Sequence, residues 1–371
     1  MYNIIISFGL AFLVTFFGIP IIIQIAKDKK LFDEPDERKV HKAVIPTLGG
    51  LGIFGGFILA ILMGVPNNSN NFQYFIASLM VVFFLGVKDD ILLLSASKKF
   101  IGQLISAGII IRFGGIQITN MHGFLGFGEI PHIASILLTS FTIIVITNSF
   151  NLIDGVDGLA GSLGLLTSMV FGSYFFITNQ IMFSVMAFSL AGSLVGFLIY
   201  NFSPAKIFMG DTGSLLIGLL NAVFVIRFIS STGSTSFPIL SAPAVGFAIL
   251  IVPLFDTLRV FGLRIIKRRS PFSPDRNHIH HFLLDFGLSH KMITLVCVTV
   301  NILFIALAYT LRNLGTSLVL LALGFTAIVF VGIVYYNKPK SNYDEEEGSE
   351  DKSVIKSHKV YTPLAETAIQ D

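Results

Sequence analysis

The sequence has no tryptophan and one cysteine, and charged residues make up only 13% of its 371 positions. Soluble domains carry about twice that charged fraction, so this composition excludes an ordinary soluble enzyme. The single thiol, Cys297, cannot form an intrachain disulfide, and the fold therefore does not depend on an oxidising compartment. A Walker-type phosphate loop and a Rossmann fingerprint are also absent.

Apolar runs dominate instead, with 53% hydrophobic residues and a mean hydropathy of +0.80. We expect these runs to form helices, because a helix makes all of its backbone hydrogen bonds internally in lipid. The alternation of polar and apolar residues that is typical of a β-barrel does not appear. No basic region precedes the first run, which we expect to remain as a span. The eleven predicted hydrophobic segments are 3–26, 48–65, 72–87, 100–113, 132–149, 159–178, 181–200, 213–230, 238–260, 291–311 and 314–336.

The sequence thus predicts an all-α integral membrane protein, with one polytopic domain over 1–336 and a polar, disordered tail over 337–371. Lysine and arginine concentrate in the loops after odd-numbered segments, which places those loops in the cytoplasm. The N-terminus is then outside and the C-terminus cytoplasmic. The outer loop 114–131 contains five glycines and is either a short β-hairpin or an irregular connector.

The third cytoplasmic loop carries the most distinctive motif. Asn148, Asn151, Asp154 and Asp157 recur every three residues, and a glycine follows each carboxylate. Residues three apart on a helix are neighbours, and carboxylates at the edge of hydrocarbon usually mark function. The motif favours a cation or a donor-rich ligand, although polar capping of two helices is an alternative.

Two other loops offer acidic groups. Asp89 and Asp90 follow the third segment, where adjacent carboxylates at a helix end can hold a divalent cation or provide a general base. The lysine pair at 98–99 can attract an anionic lipid head group. Asp211 begins the eighth segment as either a helix cap or a Mg²⁺ ligand, and Phe208 offers an aromatic ring for a base to stack on.

The first and fifth cytoplasmic loops are basic. Lys42 and Thr47 precede a glycine pair and suit a phosphate, or else a positive anchor at the membrane surface. Arg276, His278, His280 and His281 lie beside a basic run. The histidine spacing suggests zinc, but no cysteine is near to complete a site. Donation to a diphosphate is the preferred interpretation.

Together the five loops predict metal-dependent phosphoryl transfer at the membrane surface. An ion-coupled transporter is an alternative from another class, but transporters place polar groups near the midplane of the membrane. Here those groups cluster at one face. A scaffold for membrane partners is a further alternative that does not explain the acidic motifs.

In their order, from about 27 to 290, these motifs resemble the polyprenyl-phosphate N-acetylhexosamine-1-phosphate transferases. The resemblance implies a Mg²⁺- or Mn²⁺-dependent enzyme of the bacterial inner (cytoplasmic) membrane with its active site on the cytoplasmic face. It implies transfer of a sugar 1-phosphate from a UDP-sugar to undecaprenyl phosphate, with release of UMP. Members are often homodimers, and no nucleic-acid partner is expected.

Within that family, the His278-Ile-His280-His281 motif is similar to the branch that uses UDP-N-acetylglucosamine. That branch starts O-antigen, enterobacterial common antigen or teichoic-acid linkage units. The phospho-MurNAc-pentapeptide translocase branch, or a transferase for another UDP-N-acetylhexosamine, is the alternative.

The resemblance also implies roles for individual residues. Asp211 matches the metal-binding aspartate, with Asp154 beside it, and Asp89 with Asp90 matches the pair that contains a proposed base. Leu93 departs from the family pattern, since many members have a third polar group at that position. The remaining matches place Lys42, Thr47, Asn151, Asp157 and Phe208 near the nucleotide sugar, and His278, His280 and His281 near the phosphates. Asn148 and Arg276 are substrate-binding candidates from the loop motifs themselves, and His280 is also a catalytic candidate.

Overall fold

The protein is described by a computed structural model over residues 1–29, 45–67, 69–268 and 278–337. Lys42, Arg276 and the predicted tail beyond 337 lie outside the described residues. The described part forms thirteen α-helices. They are α1 (Tyr2–Asp28), α2 (Gly49–Gly64), α3 (Phe72–Leu92), α4 (Ala96–Arg112), α5 (His132–Ile153), α6 (Leu159–Ile177), α7 (Ile181–Asn201), α8 (Gly210–Ser231), α9 (Ala242–Ile249), α10 (Ile251–Ile266), α11 (Ile279–Asp285), α12 (His290–Leu311) and α13 (Thr316–Tyr336).

Each predicted hydrophobic segment coincides with a helix, except that the ninth is divided between α9 and α10. Within the described ranges, seven helices are long and apolar enough to cross a membrane: α1, α5, α6, α7, α8, α12 and α13. The pair α9 and α10, bent by 88°, makes an eighth if it is one span. The chain is therefore an all-α multi-pass membrane protein. The count of eleven spans and the sides of the two termini remain predictions.

The break between α9 and α10 has a local cause and a distant compensation. Pro253 lacks an N–H group and cannot donate to the carbonyl of Ile249, as a continuous helix would require. Asn301 of α12 takes over this function, because its Nδ2 donates to the Ile249 carbonyl at 3.0 Å. Its Oδ1 accepts from the N–H of Val252 at 3.2 Å. A broken helix at membrane depth is tolerated when neighbouring side chains satisfy the backbone in this way.

Helix α8 is buried along almost its whole length and packs against α3 and α5. One glycine at each of the two contacts, on α3 and on α8 itself, allows this close approach. A Cβ atom at Gly86 of α3 would lie 2.4 Å from Cα of Thr212, and one at Gly218 of α8 would lie 2.6 Å from Cα of Thr147. The N-terminus of α8 is consequently held against the C-terminal part of α3, where the two adjacent aspartates lie.

A two-stranded antiparallel hairpin occupies part of the predicted outer loop, with β1 at Asn120–Phe124 and β2 at Phe127–Glu129. Its two turn residues, Leu125 and Gly126, have φ of 51° and 84°, as a type I′ turn requires. The hairpin contacts the start of α13, where Thr316 donates to the carbonyl of His122 at 2.7 Å. Its side of the membrane remains a prediction.

Candidate active site

Asp90 caps the N-terminus of α8. One carboxylate oxygen accepts from the N–H of Asp211 at 2.7 Å, and the other accepts from the N–H and the hydroxyl of Thr212 at 3.1 and 2.5 Å. An anion here satisfies helix N–H groups that have no partner within the helix, and it matches the helix dipole. Asp90 therefore positions Asp211. A catalytic role for Asp90 remains a prediction.

Lys99 joins the two acidic motifs. Its Nζ lies 2.6 Å from Oδ2 of Asp211 and forms a second ion pair with Oδ2 of Asp89. The other Asp89 oxygen accepts from the N–H of Leu94 at 2.5 Å. The Lys99 and Asp211 side chains are 26% and 24% exposed, so a ligand can reach both. Sequence reasoning assigned Lys99 only to attracting a lipid head group, yet its ammonium lies between two predicted catalytic carboxylates.

Asn151 provides the third contact to Asp211. Its Nδ2 donates to Oδ1 of Asp211 at 2.9 Å and to the hydroxyl of Ser214 at 3.0 Å. One helical turn earlier, Asn148 is paired with Gln103 of α4, its Nδ2 lying 2.7 Å from Oε1 of Gln103. The asparagine face of α5 thus connects α4 with the N-terminus of α8.

Asp154 follows the last residue of α5 and is half-buried. Among the described residues, no hydrogen bond or ion pair holds its carboxylate. Burial raises the pKa of the Asp154 carboxyl well above its ordinary value. Nearby negative charges raise this pKa further, and they are those of Asp211, Asp90 and Asp157. A cation bound in this region would relieve that repulsion.

Asp157 stabilises the loop between α5 and α6. Its carboxylate accepts from the N–H of Ala205 at 3.1 Å and lies 3.2 Å from Nδ1 of His290. The next residue, Gly158, has φ of +75° and donates its N–H to Oδ1 of Asn201 at 3.0 Å. Asp157 thereby ties the loop to α12 and to the segment after α7. Its predicted contact with the nucleotide sugar remains a prediction.

The segment before α2 runs beside the segment before α8. The N–H of Phe208 donates to the carbonyl of Pro46 at 2.7 Å, and the carbonyl of Phe208 accepts from Gly49 at 2.9 Å. Gly50 donates to the carbonyl of Met209 at 2.8 Å. This short ladder brings together the first and fourth of the predicted cytoplasmic loops.

The ladder also places two predicted binding residues close to the N-terminus of α8. Gly210, at the start of α8, has φ of +70°, and a Cβ added there would lie 2.2 Å from the carbonyl oxygen of Thr47. Thr47 and Phe208 are both half-buried beside this glycine. The positive φ and the close approach both favour glycine at this position.

Asp256 of α10 organises the histidine motif. Its Oδ2 lies 2.8 Å from Nδ1 of His278, and its Oδ1 accepts from the N–H of Ile279 at 2.9 Å. Arg259 donates to the same Oδ1 at 2.9 Å. Because Asp256 is only 2% exposed, its negative charge is stabilised by these three donors and not by water. The start of α11 is therefore anchored to α10.

His280 contacts the third loop. A Cβ added to Gly155 would lie 2.7 Å from Nε2 of His280, so the imidazole packs directly on the glycine. His280 is 2% exposed, and its buried Nδ1 has no hydrogen-bond partner among the described residues. Burial lowers the pKa of His280 to about 3, with a further contribution from His281. His280 is consequently neutral near pH 7.

The predicted residues fall into three structural groups. Four of them meet at the N-terminus of α8: Asp89, Asp90, Asn151 and Asp211. Others lie in the adjoining loops and helices: Thr47, Asn148, Asp154, Asp157, Phe208, His278, His280 and His281. Lys42 and Arg276 lie outside the described residues.

Several residues that build this region carried no signal of their own in the sequence. Gln103, Asn201 and Asp256 are isolated polar residues in apolar surroundings. This isolation is the one feature of the sequence that could have indicated a role for them. The lysine at position 99 and the histidine at position 290 stand beside other polar residues and were not distinguished from them. The residues missed as parts of the site are Lys99, Gln103, Asn201, Asp256 and His290.

The acidic residues can hold a magnesium ion. Across the ranges that the structure describes, no group of three histidine, cysteine or acidic side chains forms a metal-binding set. Mg²⁺ needs fewer protein ligands, because it binds through one or two carboxylates together with substrate phosphates and water. Asp211 and the otherwise unbonded Asp154 supply two carboxylates in a region of negative charge. The residues present therefore fit Mg²⁺ better than zinc.

Comparison with known proteins gives consistent results. Residues 72–229 match the model of glycosyl transferase family 4. A probable undecaprenyl-phosphate N-acetylglucosaminyl 1-phosphate transferase of Bacillus subtilis (strain 168) is 33% identical over 340 residues, covering 90% of this chain and 92% of the relative. A decaprenyl-phosphate N-acetylglucosaminephosphotransferase of Mycobacterium leprae is 32% identical over 352 residues, covering 87% of each chain. An undecaprenyl-phosphate alpha-N-acetylglucosaminyl 1-phosphate transferase of Yersinia pestis is 27% identical over 310 residues, covering 81% and 83%.

The family match spans the acidic pair of α3, the asparagine and aspartate motif at the end of α5 and in the loop that follows, and the start of α8. The similarity to the Bacillus relative extends over nearly the whole chain. The resemblance drawn from the five motifs is thereby confirmed, and the chain belongs to glycosyl transferase family 4.

Proposed function

We propose that the protein transfers N-acetylglucosamine 1-phosphate from UDP-N-acetylglucosamine to undecaprenyl phosphate at the cytoplasmic face of the bacterial inner membrane. The products are UMP and the lipid-linked sugar that starts a cell-surface polysaccharide of the O-antigen, common-antigen or teichoic-acid type. The observation that carries the proposal is the meeting of Asp89, Lys99, Asn151 and Asp211 at one helix N-terminus. The names of the relatives support the choice of donor and acceptor.

In the proposed reaction, a phosphate oxygen of undecaprenyl phosphate attacks the β-phosphorus of the UDP-sugar. The bond from that phosphorus to the bridging oxygen breaks, and the bridging oxygen leaves on UMP. When bound, Mg²⁺ or Mn²⁺ neutralises diphosphate oxygens, and Asp211 and Asp154 are the carboxylates that we propose hold it. Asn151 orients Asp211 through its 2.9 Å hydrogen bond.

The acceptor phosphate is proposed to bind beside Asp89 and Lys99. A phosphomonoester carries about 1.5 to 2 negative charges near pH 7, so Asp89 has at most a fraction of a proton to accept. Its further role is to orient Lys99, whose ammonium can donate to phosphate oxygens. Neutral His280 can donate one hydrogen bond to the departing phosphate without carrying a charge.

The test uses purified protein with undecaprenyl phosphate, labelled UDP-N-acetylglucosamine and Mg²⁺. The expected products are labelled lipid and an equal amount of UMP, and chelation of the metal should abolish both. Asp211→Asn should lose most of the activity, whereas Asp28→Asn, at an exposed aspartate that ends α1, is the matched control. Wild-type activity in Asp211→Asn at normal membrane levels would disprove the metal assignment.

Other donors decide between the branches. UDP-MurNAc-pentapeptide and UDP-N-acetylgalactosamine are supplied in parallel with the same acceptor. A preference for UDP-MurNAc-pentapeptide would replace our proposal with the translocase function. Absence of UMP release with every donor, from protein that is folded in detergent, would overturn the transferase function itself.

A further inference from the structure

Arg227 is a charged residue far from the candidate active site on the same helix. It lies sixteen positions after Asp211 in α8, which corresponds to about 24 Å at 1.5 Å per residue. Since the hydrocarbon core of a bilayer is about 30 Å thick, Arg227 is close to the opposite membrane surface. It is half-buried between helices.

The surroundings of Arg227 hold its guanidinium in one orientation. Its Nε donates to Oε1 of Gln180 at 2.6 Å, and the guanidinium carbon lies 5.0 Å from the centre of the Phe183 ring. Gln180 is itself oriented, because its Nε2 donates to the hydroxyls of Thr178 and Ser231 at 3.1 Å each. These contacts use Nε and one face of the guanidinium. Its two terminal nitrogens remain for another partner.

No anion in the described part of the chain compensates this charge. Arg227 forms no ion pair with a carboxylate there, and its terminal nitrogens donate no hydrogen bond to described residues. A charged group in a membrane segment is costly and usually has a partner of opposite charge. The planar guanidinium, with two parallel N–H groups, matches a phosphate group especially well.

We propose that the terminal nitrogens of Arg227 bind the phosphate group of a phospholipid in the leaflet opposite the active site. Gln180 and Phe183 orient the guanidinium, and the ring of Phe183 lies on the apolar side of the site. A phospholipid is favoured over a soluble anion because Arg227 lies within a membrane helix, where acyl chains surround the protein. The bound lipid would join the turn between α6 and α7 to the end of α8.

The experiment measures thermal unfolding of delipidated protein in mild detergent with added dioctanoyl-phosphatidylglycerol. We expect the melting temperature to rise by roughly 2 to 5 °C at ten times the half-saturating lipid concentration. Arg227→Gln should lose this rise. Arg312→Gln should keep it, because Arg312 is also cationic and lies over an aromatic ring, 4.0 Å from the centre of Tyr309, but donates instead to a backbone carbonyl.

Two further arms identify the ligand in the wild-type protein, in case Arg227→Gln does not fold. Dioctanoylglycerol lacks the phosphate and should have no effect, and inorganic phosphate at the same concentration should also have none. An equal rise with dioctanoylglycerol would overturn the role of the phosphate, and an equal rise with inorganic phosphate would overturn the role of the lipid. Retention of the full rise in folded Arg227→Gln would exclude the arginine as the binding group.

Discussion

Nζ of Lys99 lies 2.6 Å from Oδ2 of Asp211, although the two residues are 112 positions apart in the sequence. The same ammonium also pairs with Asp89. The lysine therefore compensates two carboxylates that would otherwise repel each other in a partly buried site.

Replacing Lys99 by Gln removes the shared positive charge. We expect UMP release to fall on the order of 100-fold, as is typical when one electrostatic donor is lost from an active site. Lys98→Gln is the control, because Lys98 is the exposed neighbour. Both variants are assayed at saturating acceptor with matched membrane levels. Equal activities of the two variants would refute a role for Lys99 in the site.

Replacing Asp90 by Ala removes the cap of α8 and leaves two N–H groups and a hydroxyl without their acceptor. We expect a loss of about 1 to 3 kcal/mol of stability, measured by denaturation in detergent, together with loss of activity. Thr212→Val removes only one of the three hydrogen bonds and should cost less. A fully stable but inactive Asp90→Ala would show that Asp90 acts in catalysis and not as a cap.

Replacing Gly155 by Ala tests the contact between the third loop and the histidine motif. The new Cβ would lie 2.7 Å from Nε2 of His280, so the imidazole or the loop must shift. A displacement of this kind can reduce turnover about 100-fold. Gly262→Ala is the control, since a Cβ there has no atom within 4 Å. Unchanged turnover in Gly155→Ala would mean that His280 is not held in a required position.

The depressed pKa of His280 predicts a pH dependence of stability. Its pKa falls from 6.5 to about 3 on folding, so between these values the unfolded chain binds a proton that the folded protein excludes. Stability should therefore be complete above pH 6.5 and decline as the pH falls toward 3, by at most about 1.4 kcal/mol per pH unit. We expect this decline to be smaller in His280→Gln.

The measurement compares melting temperatures at pH 7.5 and pH 5 for wild type, His280→Gln and His132→Gln. His132 is exposed at the start of α5, so its replacement should leave the difference between the two pH values unchanged. If His280→Gln shows the same decline as wild type, folding does not lower the pKa of His280, and the ring is protonated at pH 5 in the folded protein as well.

Much of the helical architecture was predictable, because hydrophobic runs report helices in a membrane protein directly. The division of segment 238–260 was not, since Pro253 permits a break but does not require one. The break depends on Asn301 of α12, which satisfies the freed carbonyl of Ile249. Periodicity and composition carry no information about such a partner, which lies 52 positions away.

The candidate site was likewise predictable where its residues are close in the sequence, but not where they meet only through helix packing. The acidic and histidine motifs could be found because several polar residues stand close together in the sequence. Lys99 and Asp256 could not be assigned their contacts, because those contacts depend on how α3, α4, α8, α10 and α11 pack. Both oxygens of Asp90 bind α8 in the structure, and its position beside Asp89 in the sequence gives no indication of this capping contact.

The cap that Asp90 forms on α8 has a consequence for biogenesis. Asp90, the acceptor of the cap, is synthesised 121 residues before its donor Asp211. Helix α3 is therefore in the membrane without this contact until α8 has been inserted. Until then Asp90 lacks its partners on α8. A ribosome-bound chain that stops before α8 would therefore contain the acidic pair but no assembled site, and arrested chains of increasing length can be used to find when the site forms.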